Sequence, residues 1–286
     1  MDKKICIITG ANSGIGKQAA IQIAASGYHV IIGCRNTERG NAALKDIISE
    51  SQGSAELILV DMSLKSSIKS FSDKVTSKYS KVDVLIHNAA IFDIAQKERK
   101  LTSEGYESIW MTNHVGPVYL TELLMDALKK SNDARVITVS SKGLLAVPRL
   151  KVDIADPEFA KRKFSVTKAY YQSKRAQVMY TYWLSDKIKD AGVTANSVRV
   201  TAVKIDINRH PELSAFTKWV YKQKSKKSIT PQKMAQTYTH LATNPDMKGV
   251  TGKYFDEKNQ EVSSIGYTKD KHNIDAVMEL TQKYLK

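Results

Sequence analysis

Cysteine is scarce in this chain of 286 residues: only Cys6 and Cys34 occur, each inside a short apolar run. That excludes a disulfide-stapled fold and reads as two buried free thiols in a reducing compartment. No apolar run approaches the roughly 20 residues needed to span a bilayer. The opening stretch, MDKKICIITG, passes from two lysines straight into a β-like run, without the apolar region and small-residue site of a signal peptide. A cytoplasmic protein is the expectation. Histidine is also sparse, six residues with no paired or clustered ligand spacing, so no metal is expected. Acidic residues are outnumbered, 29 against 44 basic, for a net charge of +15. Such a balance suits an acidic ligand, a nucleic acid or a membrane surface. The lysines are dispersed, however, and the densest cluster, KQKSKK at 222–227, is short. Nucleic-acid binding is therefore not expected.

What the chain does have is a regular alternation. Apolar, β-rich runs lie at 4–9, 28–34, 56–61, 82–88, 134–141, 194–200 and 253–255. Most are continuously apolar, as befits strands covered on both faces. Helical stretches lie between and after them, at 14–26, 37–50, 64–79, 103–130, 168–190, 212–224, 231–243 and 271–285. Strand and helix in repeated succession predict an α/β fold: one Rossmann-type, doubly wound parallel sheet of about seven strands with helices on both faces. No linker or low-complexity tract interrupts the series, so residues 1–286 are expected to form a single domain.

The first run leads into TGANSGIGKQAA, which places Gly10, Gly14 and Gly16 between a strand and a helix. Glycines there allow a tight turn and let main-chain amides approach a phosphate. The spacing G-x-x-x-G-x-G differs from the commoner G-x-G-x-x-G, but the strand-turn-helix context points to a dinucleotide. At the end of the second run an NAD site would place a carboxylate. This chain has Cys34-Arg35-Asn36, with no carboxylate before Glu38. An arginine can hold a 2′-phosphate by charge-assisted hydrogen bonds, so NADP(H) is the expected cofactor.

Further on the chain reads YYQSK, residues 170–174. Tyr170 and Lys174 are four apart and share a helix face, so they can act on one small molecule. Taken together, TGANSGIG, DMS at 61–63, HNAA at 87–90, TNHVG at 112–116, VSS at 139–141 and YYQSK resemble the short-chain dehydrogenases/reductases. CRN at 34–36 and the stretch TPQKMAQTYTHLATNPDMKGVTGKYF resemble the retinol-dehydrogenase-like branch, which generally prefers NADP(H).

The resemblance implies roles. The Y-x-x-x-K motif selects Tyr170 over Tyr171 as proton donor. Lys174 would lower the tyrosine pKa and bind the nicotinamide ribose. Ser141 would hold the substrate oxygen, and Asn113 would support a water that links Lys174 to solvent. A register shift of one would instead select Ser140, because Lys142-Gly143 follows where the family often has two residues before its glycine. Ser13 and Ile15 would sit in the phosphate turn. Asp61 and Met62 would flank the adenine, and Asn88, Ala89 and Ala90 would line the adenosine and ribose side.

The chain also departs from the pattern. Val200-Thr201 stand where a Pro-Gly is common, and Ile205 stands where a threonine would contact the nicotinamide carboxamide. Main-chain groups near Val203 could serve instead. These departures keep open a second class of function, a catalytically weak NADP-binding regulatory or interaction protein. The segment from Leu144 to Ala169 lengthens the gap before Tyr170 and would wall the substrate site. Residues 208–227 would form a lid, whose Phe216, Trp219, Val220 and Tyr221 suit an apolar substrate better than a membrane surface. The expected activity is hydride transfer between NADP(H) and a small-molecule carbonyl or alcohol, most consistent with an apolar one. The helices at 103–130 and 168–190 resemble those that pair subunits in the family. Tyr180, Trp183 and Leu184 would offer the apolar surface of a homo-oligomer.

Overall fold

The computed structural model describes residues 3–204 and 228–286. The expected lid at 208–227, the helix expected at 212–224 and Ile205 lie outside them. The strands are β1 (Ile5–Thr9), β2 (His29–Cys34), β3 (Ser54–Leu59), β4 (Val84–His87), β5 (Ala134–Ser141), β6 (Val193–Val200) and β7 (Lys253–Phe255). All seven pair in parallel in one sheet, in the order β3-β2-β1-β4-β5-β6-β7. The doubly wound sheet expected from the alternation is the one observed.

The apolar runs are continuous because both faces of the sheet are covered. Ile7, Leu85 and Val136 join one core with Phe71, Trp110 and Tyr180. Their chain neighbours Ile8, Ile86 and Ile137 join the other, with Ile23, Ile47 and Tyr238. Successive strand side chains point to opposite faces, so each β-run feeds both cores in turn. The helices are α1 (Gly14–Ala25), α2 (Thr37–Ser51), α3 (Lys65–Lys78), α4 (Ser108–Trp110), α5 (Gly116–Lys129), α6 (Val166–Lys187), α7 (Pro231–Thr243), α8 (Gly266–Lys269) and α9 (Lys271–Leu285). Helices α1, α2 and α7 supply the second core, while α3, α5, α6 and α9 supply the first.

Two expectations need correction. The helix read at 103–130 begins at Ser108, because Gly105 turns the chain at φ +87° and the Glu107 carboxylate caps Ile109 N and Trp110 N. It is also interrupted: Met111–Val115 form a π turn before α5. The second correction concerns the subunit surface. Tyr180 and Leu184 are buried in the chain's own core, and only Trp183 stays partly exposed. Helix α9 folds back against α6 and buries Ile274, Val277 and Met278 there. His114 and Thr281 side chains pair at 2.8 Å beneath it. Of the three residues expected to pair subunits, two are spent inside one chain.

Candidate active site

Strand order reverses between β1 and β4, and a cleft of about 350 Å³ opens beside the carboxyl ends of these strands. Doubly wound sheets bind ligands at this point. The turn after β1 takes positive φ at Gly10 and Gly14, +68° and +57°, where a β-carbon is strained. Gly16 is required for another reason. A β-carbon there would collide with the Asn88 amide and come within 2.9 Å of the Gly10 carbonyl oxygen.

That amide holds the turn in place. Asn88 Nδ2 donates to Thr9 O at 2.9 Å and Gly10 O at 3.1 Å, and Tyr238 donates to Asn88 Oδ1 at 3.3 Å. Asn88 lines the cleft as expected, but its side chain is committed to shaping the phosphate turn. Gly10, Ser13, Ile15, Gly16, Arg35, Asn36, Asp61, Met62, Ala89 and Ala90 line the cleft too. Asn36 Oδ1 accepts from Arg39 N at 2.8 Å, which caps α2. Asp61 Oδ1 accepts from the main chain and hydroxyl of Ser63. Gly14, Tyr170, Lys174 and Val203 are not among its lining residues. Val203 forms a bridge with Ile229 in which the hydrogen bonds come from its neighbours Ala202 and Lys204, so its own amide and carbonyl stay out of the pairing.

Of the lining residues that escaped the sequence reading, two bear most on a ligand. Arg39 stands in the first turn of α2, exposed like Arg35, so two guanidiniums face one end of the cleft. Its position four residues after Arg35, at the start of the helix, was the available signal. Thr112 is 6% exposed, and among the described residues its hydroxyl has no partner. A buried hydroxyl without a partner is costly, and a ligand in the cleft would satisfy it. The strained glycines, the confined turn, the two exposed arginines and this hydroxyl fit a dinucleotide.

Beyond Ile91 the cleft gives way to the YYQSK helix. Phe92 packs against the Tyr170 ring, tilted, with centroids 4.3 Å apart. Burial pushes the Tyr170 hydroxyl up to about 12; Tyr171 adds to the rise, and a hydrogen bond with Ser141 opposes it. Lys174 is 3% exposed and donates from Nζ to the Val139 carbonyl at 2.8 Å, while burial lowers it to about 8. The expected lowering of Tyr170 by Lys174 is therefore not seen. The ammonium is turned toward a carbonyl and is itself destabilised by burial. Its nitrogen stands 5.8 Å from the Tyr170 ring centroid.

The two serines of β5 part company. Ser140 is buried and donates to the Lys174 carbonyl oxygen at 3.1 Å, which joins β5 to α6. Ser141 accepts from Gly143 N at 3.1 Å and faces Tyr170. Tyr171 packs over Gly143, where a β-carbon would strike its hydroxyl. Asn113 lies within the π turn. Its side chain accepts from Ile91 N at 2.7 Å and donates to Ile91 O and Ser173 Oγ at 3.0 and 3.2 Å. With the amide so engaged, any support of a water would fall to the main chain, where a π turn displaces the usual carbonyl pairing. Among the described residues no His, Cys, Asp and Glu group could hold a metal, and no helix is long and apolar enough to cross a membrane.

Comparison with known proteins agrees with this arrangement. The family model for short chain dehydrogenase matches residues 4–151. Mouse retinol dehydrogenase 13 is 35% identical over 271 residues, which cover 91% of this chain and 78% of that protein. Among solved structures, an uncharacterized protein of Mycobacterium paratuberculosis superposes with a TM-score of 0.72 at 26% identity, covering 99% of this chain and 93% of the other. A Shigella flexneri short chain dehydrogenase, solved in complex with NADP, gives a TM-score of 0.67 at 20% identity, covering 90% and 98%.

Proposed function

The chain belongs to the short-chain dehydrogenase family, and from that premise we propose that it is an NADP(H)-dependent oxidoreductase acting on a carbonyl or alcohol with apolar surroundings. When bound, the nicotinamide supplies or accepts the hydride. The Tyr170 hydroxyl gives its proton to the carbonyl oxygen as the alcohol forms, and Ser141 donates a hydrogen bond to the same oxygen. Held high by burial, Tyr170 is protonated at neutral pH, the form that carbonyl reduction requires. Lys174 would steady the phenolate left behind once its ammonium turns from the Val139 carbonyl and, by its place beside Tyr170, suits contact with the nicotinamide ribose. Arg35 and Arg39 would hold the 2′-phosphate.

One observation carries the reading: Tyr170 faces Ser141 and its ring centroid lies 5.8 Å from the Lys174 nitrogen, near a cleft lined by two exposed arginines. Phe92, 40% exposed and packed against the Tyr170 ring, gives the proton donor an apolar neighbour. This convergence, with relatives named as dehydrogenases, favours catalysis over the regulatory reading. The test is a panel of ketones and aldehydes with NADPH and with NADH, followed by nicotinamide absorbance. Turnover with NADPH in preference to NADH is expected. Binding of NADPH without turnover across the panel would favour the regulatory protein.

A further inference from the structure

Behind Ser141 lies a second, smaller cavity, of about 30 Å³, lined by Ser141, Leu144, Arg175, Arg199, Tyr254 and Thr268 among others. Its chemistry is unlike that of the dinucleotide cleft. Arg175 follows Lys174 on α6 and is 1% exposed. Its terminal nitrogens donate to the carbonyl oxygens of Pro148 and Val147 at 3.2 and 2.9 Å. Among the described residues it has no carboxylate partner, and its Nε is buried without any acceptor. Arg199, at the end of β6, has a side chain 13% exposed and reaches Asp256 only at 3.8 Å. Its Nε is likewise buried and unpaired. Among the described residues no acidic side chain lines the cavity.

A buried guanidinium with only carbonyls for company is an uncompensated charge, which proteins seldom keep without a use. Arg175 is such a group, and Arg199, whose Asp256 partner stands off at 3.8 Å, borders the same small space; the serine facing Tyr170 forms part of its wall. Resting on the oxidoreductase reading above, we propose that this cavity receives a carboxylate carried by the substrate, so that the enzyme acts on oxo acids or hydroxy acids with an apolar body. Size selects the anion. A water occupies roughly 10–15 Å³ on this measure, so the cavity has room for two or three heavy atoms. That suits a carboxylate and is too little for a phosphate ester. Leu144 and Leu145, also in the lining, suit the apolar remainder. The arginines bind and orient; the proton and hydride still move at Tyr170 and the nicotinamide.

The test uses the full chain and two probes of the same chain length, charged hexanoate and neutral hexanamide, titrated by calorimetry. Hexanoate is expected to bind at least about tenfold more tightly, the order of one charge-assisted hydrogen bond. The preference should fall to near parity in Arg199→Gln. It should fall likewise in Arg175→Met if that variant's circular dichroism matches wild type. In turnover with NADPH and NADH, 2-oxohexanoate should outperform its methyl ester by a similar factor. Equal binding of the two probes, or ester turnover equal to that of the acid, would overturn the carboxylate site while leaving the oxidoreductase reading intact. Turnover of neither compound, nor of any neutral carbonyl, with either cofactor would overturn the oxidoreductase reading and the substrate assignment with it. The hexanoate comparison would still decide whether the cavity takes a carboxylate.

Discussion

Arg35→Ala is expected to weaken NADPH binding by about 1.5–3 kcal/mol while changing NADH binding little, because one charged hydrogen-bonded contact is lost. Arg39→Ala should follow the same pattern, and equal losses for both cofactors, measured by fluorescence titration, would remove the 2′-phosphate assignment. Lys174 offers a test that needs no substrate. Its folded pKa is lowered by burial from 10.5 to about 8. Below pH 8 it is charged in both states, and the folded chain bears the full cost of burying the charge, about 3 kcal/mol. Between about 8 and 10.5 the unfolded chain binds a proton that the folded one lacks, so this group makes stability rise with pH. Lys174→Met should therefore gain stability over wild type at pH 7, with the margin shrinking as pH approaches 10.5. A margin constant with pH, read from urea midpoints, would contradict the depressed value. Spacing made Tyr170 and Lys174 legible in the sequence, since four residues fix a shared helix face. It could not show where the ammonium points. Nor could it show that Asn88 and Asn36 spend side-chain groups on a turn and a helix cap, because those partners are set by tertiary placement.

Elements were more legible than contacts. Continuous apolar runs located every strand of the sheet to within a few residues, because burial on both faces leaves no other composition. Helix α7 was read at 231–243, where Thr230 caps it and Pro231 opens it. The π turn was not legible, since one extra residue per turn leaves the apolar pattern nearly unchanged over so short a span. Its meaning lies in Asn113, whose side chain holds both main-chain groups of Ile91. Asn113→Ala is expected to cost about 1–3 kcal/mol by leaving those groups unpaired, and to lower turnover by loosening the loop that carries Phe92. A variant with wild-type urea midpoint and wild-type kcat would show that Ile91 needs no such brace. The long segment before α6 is anchored to that helix by Gln172 and Arg175, so the wall it builds is fixed by the same element that carries Tyr170.

At the scale of the whole molecule, α9 decides what surface remains. It buries Ile274, Val277 and Met278 against the α6 side of the sheet, each worth about 1.5–3 kcal/mol. Truncation after Asp270 should lower the thermal midpoint and cause self-association, as Tyr180 and its neighbours become uncovered. A truncated chain that stays monomeric in light scattering with an unchanged midpoint would contradict that role. The sequence suggested the opposite use of this face, because an apolar helix surface looks the same whether a second subunit or the chain's own last helix covers it. The account as a whole rests on Tyr170 as the proton donor, and one comparison tests that most directly: kcat of Tyr170→Phe against Tyr171→Phe on one carbonyl substrate. Each change keeps a ring in place and removes a hydroxyl. Tyr170→Phe is expected to lose about 10²–10⁴-fold, the usual worth of general acid catalysis, with NADPH binding retained, while Tyr171→Phe stays close to wild type. Wild-type turnover by Tyr170→Phe, or a collapse confined to Tyr171→Phe, would contradict it.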